Sequence, residues 1–300
     1  MRCILVSKRK GMKNSVWIWA LPGLLGLAGC NKTNDPMPPE HSKWIARIVS
    51  YTPAPGQFVN SEMGTREAAE SLVGGKKGCL SLGGFGGAVV FEFDHELKNI
   101  EGPDFVIFGN AFDGSSEPGV VEVSPDGERW YRLRGAADEA TGSVADYEIT
   151  YFRPKQVAQA EEVAWTDNRG GSGTIEALAT IHPQSYWPAA AQGERTLVFR
   201  GLRLPDPAEW NGVKYVLRDL GEGYADNWSP DYTTVVGGDP DTRYGNKFDI
   251  DRAVDEAGRR VELRTVKQIR VYTAVNQQVG GTLGEVSTEI CGALSLSAGL

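Results

Sequence analysis

The residues best suited to chemistry lie between Asp219 and Asp255. That interval holds nine carboxylates, Asp219, Glu222, Asp226, Asp231, Asp239, Asp241, Asp249, Asp251 and Asp255, against three basic residues, Arg243, Lys247 and Arg252. Hard oxygen donors at this density, with Asn227, Asn246 and loop carbonyls beside them, suit Ca²⁺. An EF-hand is excluded, because a loop starting at Asp239 would place Tyr244 where glycine is required and has no glutamate at its twelfth position. A calcium site must therefore be assembled from separate loops, with Asp226, Asn227, Asp249 and Asp251 as its expected ligands. The competing reading is that Asp-Gly and Asp-Pro pairs cap turns in a glycine-rich loop. A second oxygen-rich group, Asn110, Asp113, Ser115, Ser116 and Glu117, follows an expected strand end. It is read as orienting a ligand or an ion, or as Asx-turn capping.

Aromatic residues are the other suggestive class. Trp165, Tyr186, Trp187, Trp210, Tyr224, Trp228, Tyr232 and Tyr244 fall in polar, loop-like surroundings, where rings stack on sugar faces or on a large planar ligand. Packing alone also accounts for many such rings. Trp130 follows a hairpin at strand period and reads as core. His182, in Ile181-His182-Pro183-Gln184-Ser185-Tyr186-Trp187, is a candidate ligand contact against an ordinary structural imidazole. Sequence signatures of catalysis are absent: there is no HExxH, GxSxG or GxxxxGK[ST], and Gly83-Gly84-Phe85-Gly86-Gly87 precedes an expected strand where a phosphate loop would precede a helix. An acidic chain retains the option of a carboxylate pair for glycan hydrolysis, but no pair is singled out.

Short apolar or alternating runs separated by Gly, Pro, Asn and Asp must position these groups. They predict strands at Ala46–Tyr51, Ala88–Phe93, Asp104–Phe108, Gly119–Ser124, Trp130–Leu133, Tyr147–Phe152, Arg195–Phe199, Tyr215–Asp219, Arg260–Leu263, Gln268–Tyr272 and Glu285–Cys291. Arg66–Val73 reads as a short helix and Pro207–Asn211 as a helical turn. Turn chemistry at Ser124–Glu128, Asp94–Asn99 and Asp255–Gly258 predicts hairpins. The sum is an all-β chain, a single β-sandwich or jelly-roll domain over 44–300 with long Gly/Asp-rich loops.

The 300 residues carry a formal charge of −8. Residues 1–29 hold Arg2, Lys8, Arg9, Lys10 and Lys13 and no acid, so removing these five from 31 basic residues leaves 26 against 39 acids, a net charge of −13. A body this acidic repels phosphate backbones, which excludes nucleic acid as a natural partner. The basic stretch leads into the apolar run Val16–Leu27 and then Leu27-Ala28-Gly29-Cys30. This reads as a signal peptide over 1–29 with Cys30 as the lipid-accepting residue, and Met12 is an alternative start. The polar, Pro-rich stretch 30–43 reads as a tether holding the domain at a membrane. Asn31 after the cysteine leans toward the outer membrane. Cys79 and Cys291 are an even pair for an oxidising compartment, read as a disulfide or as two separate buried thiols.

The ordered motifs Leu82-Gly83-Gly84-Phe85-Gly86-Gly87, Phe108-Gly109-Asn110-Ala111-Phe112, Ser116-Glu117-Pro118-Gly119 and Val121-Glu122-Val123-Ser124 resemble the "cell surface protein" lipoproteins common in Bacteroidetes. The similarity continues through Trp165-Thr166-Asp167-Asn168-Arg169-Gly170, Gly223-Tyr224-Ala225-Asp226-Asn227, Phe248-Asp249-Ile250 and Gly284-Glu285-Val286-Ser287-Thr288-Glu289-Ile290. The resemblance implies a galactose-binding-like sandwich from Asp104 to Trp130, an outer-membrane receptor as partner, and capture of a small molecule or glycan for uptake, a corrinoid among the options. It also marks Asp167 and Asn168 as ligand contacts beside Asn110, Asp113, Glu117, Trp165, His182, Tyr186 and Tyr224. A carbohydrate-active hydrolase or lyase and a structural surface protein are the alternatives.

Overall fold

The computed structural model describes residues 41–298. The expected leader, Cys30 and the tether as far as Glu40 lie outside the described residues. The chain is nearly all β, and its strands pair antiparallel in open sheets with no closed barrel among them.

The largest sheet has six strands in the order Arg47–Thr52, Ala88–Glu92, Gln268–Thr273, Gly119–Ser124, Tyr131–Leu133 and Ala253–Val254. Register sets Ile269 beside Phe91 and Val123, and Val271 beside Val89 and Val121. Side chains alternate across a strand, so this registration makes one face wholly apolar. A three-stranded sheet of Asn246–Phe248, Phe105–Phe108 and Gly292–Ser295 supplies Phe105, Ile107, Phe248 and Ala293 to the same core. These two layers form the sandwich. Each fully buried Phe or Ile here contributes roughly 1.5–3 kcal/mol of transfer free energy.

The opposite face of the six-stranded sheet is mixed. Glu122, Arg132 and Arg270 share cross-strand neighbours there, while Tyr272 buries its ring beside Leu202 and Val120. A four-stranded sheet, Ser172–Ile175, Val163–Asp167, Val144–Phe152 and Thr196–Arg203, meets this side. The contact is close: the Leu202 N–H donates to the Tyr272 hydroxyl at 2.9 Å, and any side chain at Gly201 would collide with the Tyr272 ring. Tyr147, Ile149 and Tyr151 of this sheet form a further core with Phe85, Tyr186 and Trp187. A disulfide joins Cys79 to Cys291, flanking the paired strands Leu80–Ser81 and Glu289–Ile290.

Several elements differ from expectation. Arg260–Leu263 forms only an isolated bridge from Val254 to Arg260, because Gly258 at φ 74° closes a tight turn and leaves no length to pair. The expected strand Glu285–Cys291 is broken by buried Ser287 and Thr288, whose polar groups bond elsewhere, and a full strand forms only from Gly292. Pro207–Asn211 is an edge hairpin strand, Ala208–Trp210, paired with Tyr215–Leu217. Asp94–Asn99 does not close a hairpin, since Leu97–Lys98 pairs with distant Thr265–Val266. The helix is confined to Arg66–Glu70, capped by Thr65.

Candidate functional site

Three carboxylates from distant parts of the chain converge: oxygens of Glu117, Asp226 and Glu289 lie within 4.8 Å of one another. The backbone brings them together. Gly119 and Ala225 exchange two hydrogen bonds at 2.9 Å, and the Glu117 N–H donates to the Asp226 carbonyl at 2.9 Å, which fixes those two residues side by side. Glu289 arrives on the strand paired with Leu80–Ser81, and its N–H donates to Asp226 Oδ2 at 2.9 Å. Asp226 Oδ1 accepts from the Asn110 N–H at 2.9 Å. Glu117 Oε1 accepts from the Ser287 N–H at 3.1 Å, and the Ser287 hydroxyl donates to Glu289 Oε1 at 3.0 Å.

Two local features mark the cluster as specialised. Asp226 has φ 53°, a left-handed conformation that costs a non-glycine residue about 1–2 kcal/mol and persists only where its surroundings enforce it. Beneath it Gly109 leaves room for the carboxylate, since a Cβ there would collide with Asp226 Oδ1. Asp226 and Glu289 are buried, and Glu117 is half-buried.

Burial pushes all three carboxyl groups above the ordinary range; repulsion from Glu117 adds to this at Asp226 and Glu289, while hydrogen bonds with Glu289 and the Ser287 N–H oppose it at Glu117. No cationic side chain acts on any of them among the described residues. The cluster therefore either retains protons or takes up a hard cation. Three carboxylate oxygens set by backbone N–H groups are the donor type that Ca²⁺ prefers.

The quartet expected from sequence is divided by the fold. Asp226 joins the cluster, but Asn227 is turned to a separate buried network, donating to the Gly221 carbonyl at 2.7 Å and accepting from Leu220 N–H at 3.1 Å. Asp249 caps a 3-10 turn by accepting from the Asp251 N–H at 2.8 Å, and Asp251 pairs at the surface with Arg260 and Asn99. Asp219, Asp239 and Asp255 likewise accept backbone N–H groups two residues ahead, so turn capping accounts for four of the nine carboxylates in this interval.

Other expected contacts also separate. Tyr186 and Tyr224 are not surface rings: they are 1% and 0% exposed, and both hydroxyls are engaged inside the fold. The Tyr224 hydroxyl donates to Asp138 at 2.7 Å, and that of Tyr186 accepts from the Leu178 N–H at 2.9 Å. Trp187 and Tyr232 are buried too, whereas Trp210 and Tyr244 are exposed. His182 packs edge-on against Phe58 at 4.8 Å, and burial lowers its pKa. Asn110 supplies its backbone N–H to the cluster. Asp113 lines a shallow cavity with Ser116, Lys214 and Trp228. Asp167 accepts from the Tyr147 hydroxyl at 2.9 Å, and Trp165 lies on the same strand. Asn168 accepts from the Glu148 N–H at 3.1 Å at the edge of a groove.

That groove has a volume of about 440 Å³ and runs between the mixed face of the six-stranded sheet and the four-stranded sheet. Trp130, expected in the core, is instead partly exposed and lines it, together with Tyr147, Arg200, Glu148 and Arg132. The hairpin turn places Trp130 just before the paired strand, on the face where Arg270 lies 4.5 Å from its ring. An adjoining concavity of about 580 Å³ shares Trp130, Asp255 and Glu256, so the indole stands between the two. Glu122 pairs with Arg270 and Glu148 with Arg200, while Asp146, Asp255 and Glu256 leave the groove's lining net acidic.

No protein-family model matches the chain, and no curated protein is significantly similar to it. No described helix is long and apolar enough to cross a membrane. The cluster's members were only partly legible: Glu117 and Asp226 stood out by local acidity, but Glu289 lies in an expected strand with only Glu285 as a neighbouring acid. Its one signal was membership, with the other two, of the ordered motifs that carry the family resemblance, four of which meet at this point.

Proposed function

We propose that the chain is a lipid-anchored surface protein, carried on Cys30 in the outer membrane, whose β-sandwich binds a glycan along the Trp130 groove. The observation that carries this reading is a partly exposed indole set between two concavities and ringed by paired arginines and carboxylates. An aromatic face with side-chain donors and acceptors around it suits a hydroxyl-rich ligand, since each sugar face stacks and each edge finds partners. Calcium in the Glu117–Asp226–Glu289 cluster is proposed as a structural ion that holds three distant segments together. A corrinoid ligand and an outer-membrane receptor rest on the family resemblance alone.

Calorimetric titration with a panel of neutral and acidic oligosaccharides and with cobalamin, each with and without Ca²⁺, tests the binding reading. Saturable binding of one class supports it, and uniform absence removes it. For the anchor, membrane fractionation of wild type and Cys30→Ala is expected to move the protein from the membrane to the soluble fraction. An unchanged distribution contradicts lipidation at Cys30.

A further inference from the structure

A second concavity, of about 300 Å³, lies away from the Trp130 groove, between the edge of the four-stranded sheet and the segment 275–286. Its size is at the lower end for ligand pockets. Trp165 supplies an aromatic wall, and its ring lies across Gly173, where any side chain would crowd the indole. Gly84 leaves further room opposite, under the Tyr151 hydroxyl.

Two lining residues hold buried polar atoms with no hydrogen-bond partner: Oε2 of Glu285 and Nε2 of Gln278. Glu285 is only 4% exposed. Its other oxygen is fixed by the Gln57 N–H at 2.5 Å, and Gln278 Oε1 accepts from the Glu176 N–H at 3.4 Å. An unpartnered buried polar atom costs about 1–3 kcal/mol, and native folds leave few of them. Two at one small cavity with an indole wall leave polar groups awaiting a partner. Burial, reinforced by the Glu117 charge, raises the Glu285 carboxyl to about 8, so at neutral pH it retains its proton and presents a neutral group.

We propose that this cavity is a separate subsite for one neutral sugar ring, with Trp165 as its stacking face and Glu285 and Gln278 as its hydrogen-bonding contacts. A sugar hydroxyl both donates and accepts, so one hydroxyl satisfies Gln278 Nε2 and an adjacent one satisfies Glu285. An anionic ligand is disfavoured, since the lining carries the carboxyl groups of Glu176 and Glu285 and no basic side chain. The site does not depend on the Trp130 groove.

The test is titration of the full domain with neutral hexoses and their disaccharides, read by tryptophan fluorescence and calorimetry. Wild type, Trp165→Ala, Gln278→Leu, Glu285→Gln and Trp130→Ala are compared, with melting temperature and near-ultraviolet circular dichroism confirming the fold of each. Affinity is expected to fall at least tenfold in Trp165→Ala and in Gln278→Leu. If no hexose binds wild type, or if folded Trp165→Ala and Gln278→Leu bind as wild type does, the subsite is overturned. Loss confined to Trp130→Ala overturns it while leaving the groove reading intact.

Discussion

Removing calcium from the Glu117–Asp226–Glu289 cluster should destabilise the domain in a pH-dependent way. With carboxylate oxygens no more than 4.8 Å apart, two ionised groups repel by about 3.5 kcal/mol at an effective dielectric constant of about 20. Without a cation the cluster avoids this by retaining protons, which is the direction in which all three carboxyls are pushed. A carboxyl whose pKa is raised on folding contributes stability that is complete below its unfolded value, near 4.5, and is lost as pH rises through the folded value. Metal-free protein should therefore lose stability from these groups as pH rises above about 4.5, and saturating Ca²⁺ should restore it. At a free concentration of about 100 times Kd the gain is about 2.7 kcal/mol, or roughly 5–10 °C in Tm for a domain of this size. Thermal melts of wild type and Glu289→Gln, in EDTA and in Ca²⁺ at pH 5, 6.5 and 8, provide the assay. The variant should melt above wild type in EDTA at pH 8 and gain little from Ca²⁺. A calcium increment that is zero, or that is identical at all three pH values, refutes the reasoning.

Gly109→Ala should lower stability by about 2 kcal/mol or more and abolish the calcium increment, because its Cβ collides with Asp226 Oδ1; urea melts with and without Ca²⁺ measure both. Asp249→Ala should cost only about 1 kcal/mol, the value of a lost cap, and leave the calcium increment intact; loss of the increment would return calcium to the acidic interval. Tyr224→Phe should destabilise by about 1–3 kcal/mol through the orphaned Asp138 and Ala137 N–H partners, with ligand titrations unaffected. Replacing Cys79 and Cys291 together by Ala should lower stability by up to about 5 kcal/mol, since the bond closes a separation of 212 residues; an unchanged urea midpoint would contradict that estimate.

The strands that alternate cleanly, such as Gly119–Ser124 and Gln268–Thr273, were legible because one face is buried and the other is polar. Val163–Asp167 and Ser172–Ile175 were missed: Gly170 and Gly173 gave that stretch the look of a loop, though the first closes the hairpin turn and the second seats Trp165. Local acidity picked out Asp226, which the fold sets in the buried cluster, together with Asp249 and Asp251, which cap and pair elsewhere, because such aspartates differ only in what the distant chain brings to them. Trp130 was misread for the opposite reason. Strand period describes a face, and the face beyond this hairpin borders the groove as well as packed residues. Tyr186 and Tyr224 sit in polar sequence, yet buried partners satisfy their hydroxyls, which composition alone cannot reveal.

The most direct test of glycan binding at the groove is calorimetric titration of wild type and Trp130→Ala, in Ca²⁺, with the oligosaccharide that wild type binds best. Saturable binding to wild type, weakened at least tenfold in the variant with its melting temperature preserved, is the expected result. Absence of binding to wild type across the panel, or equal affinity in a folded Trp130→Ala, would contradict it.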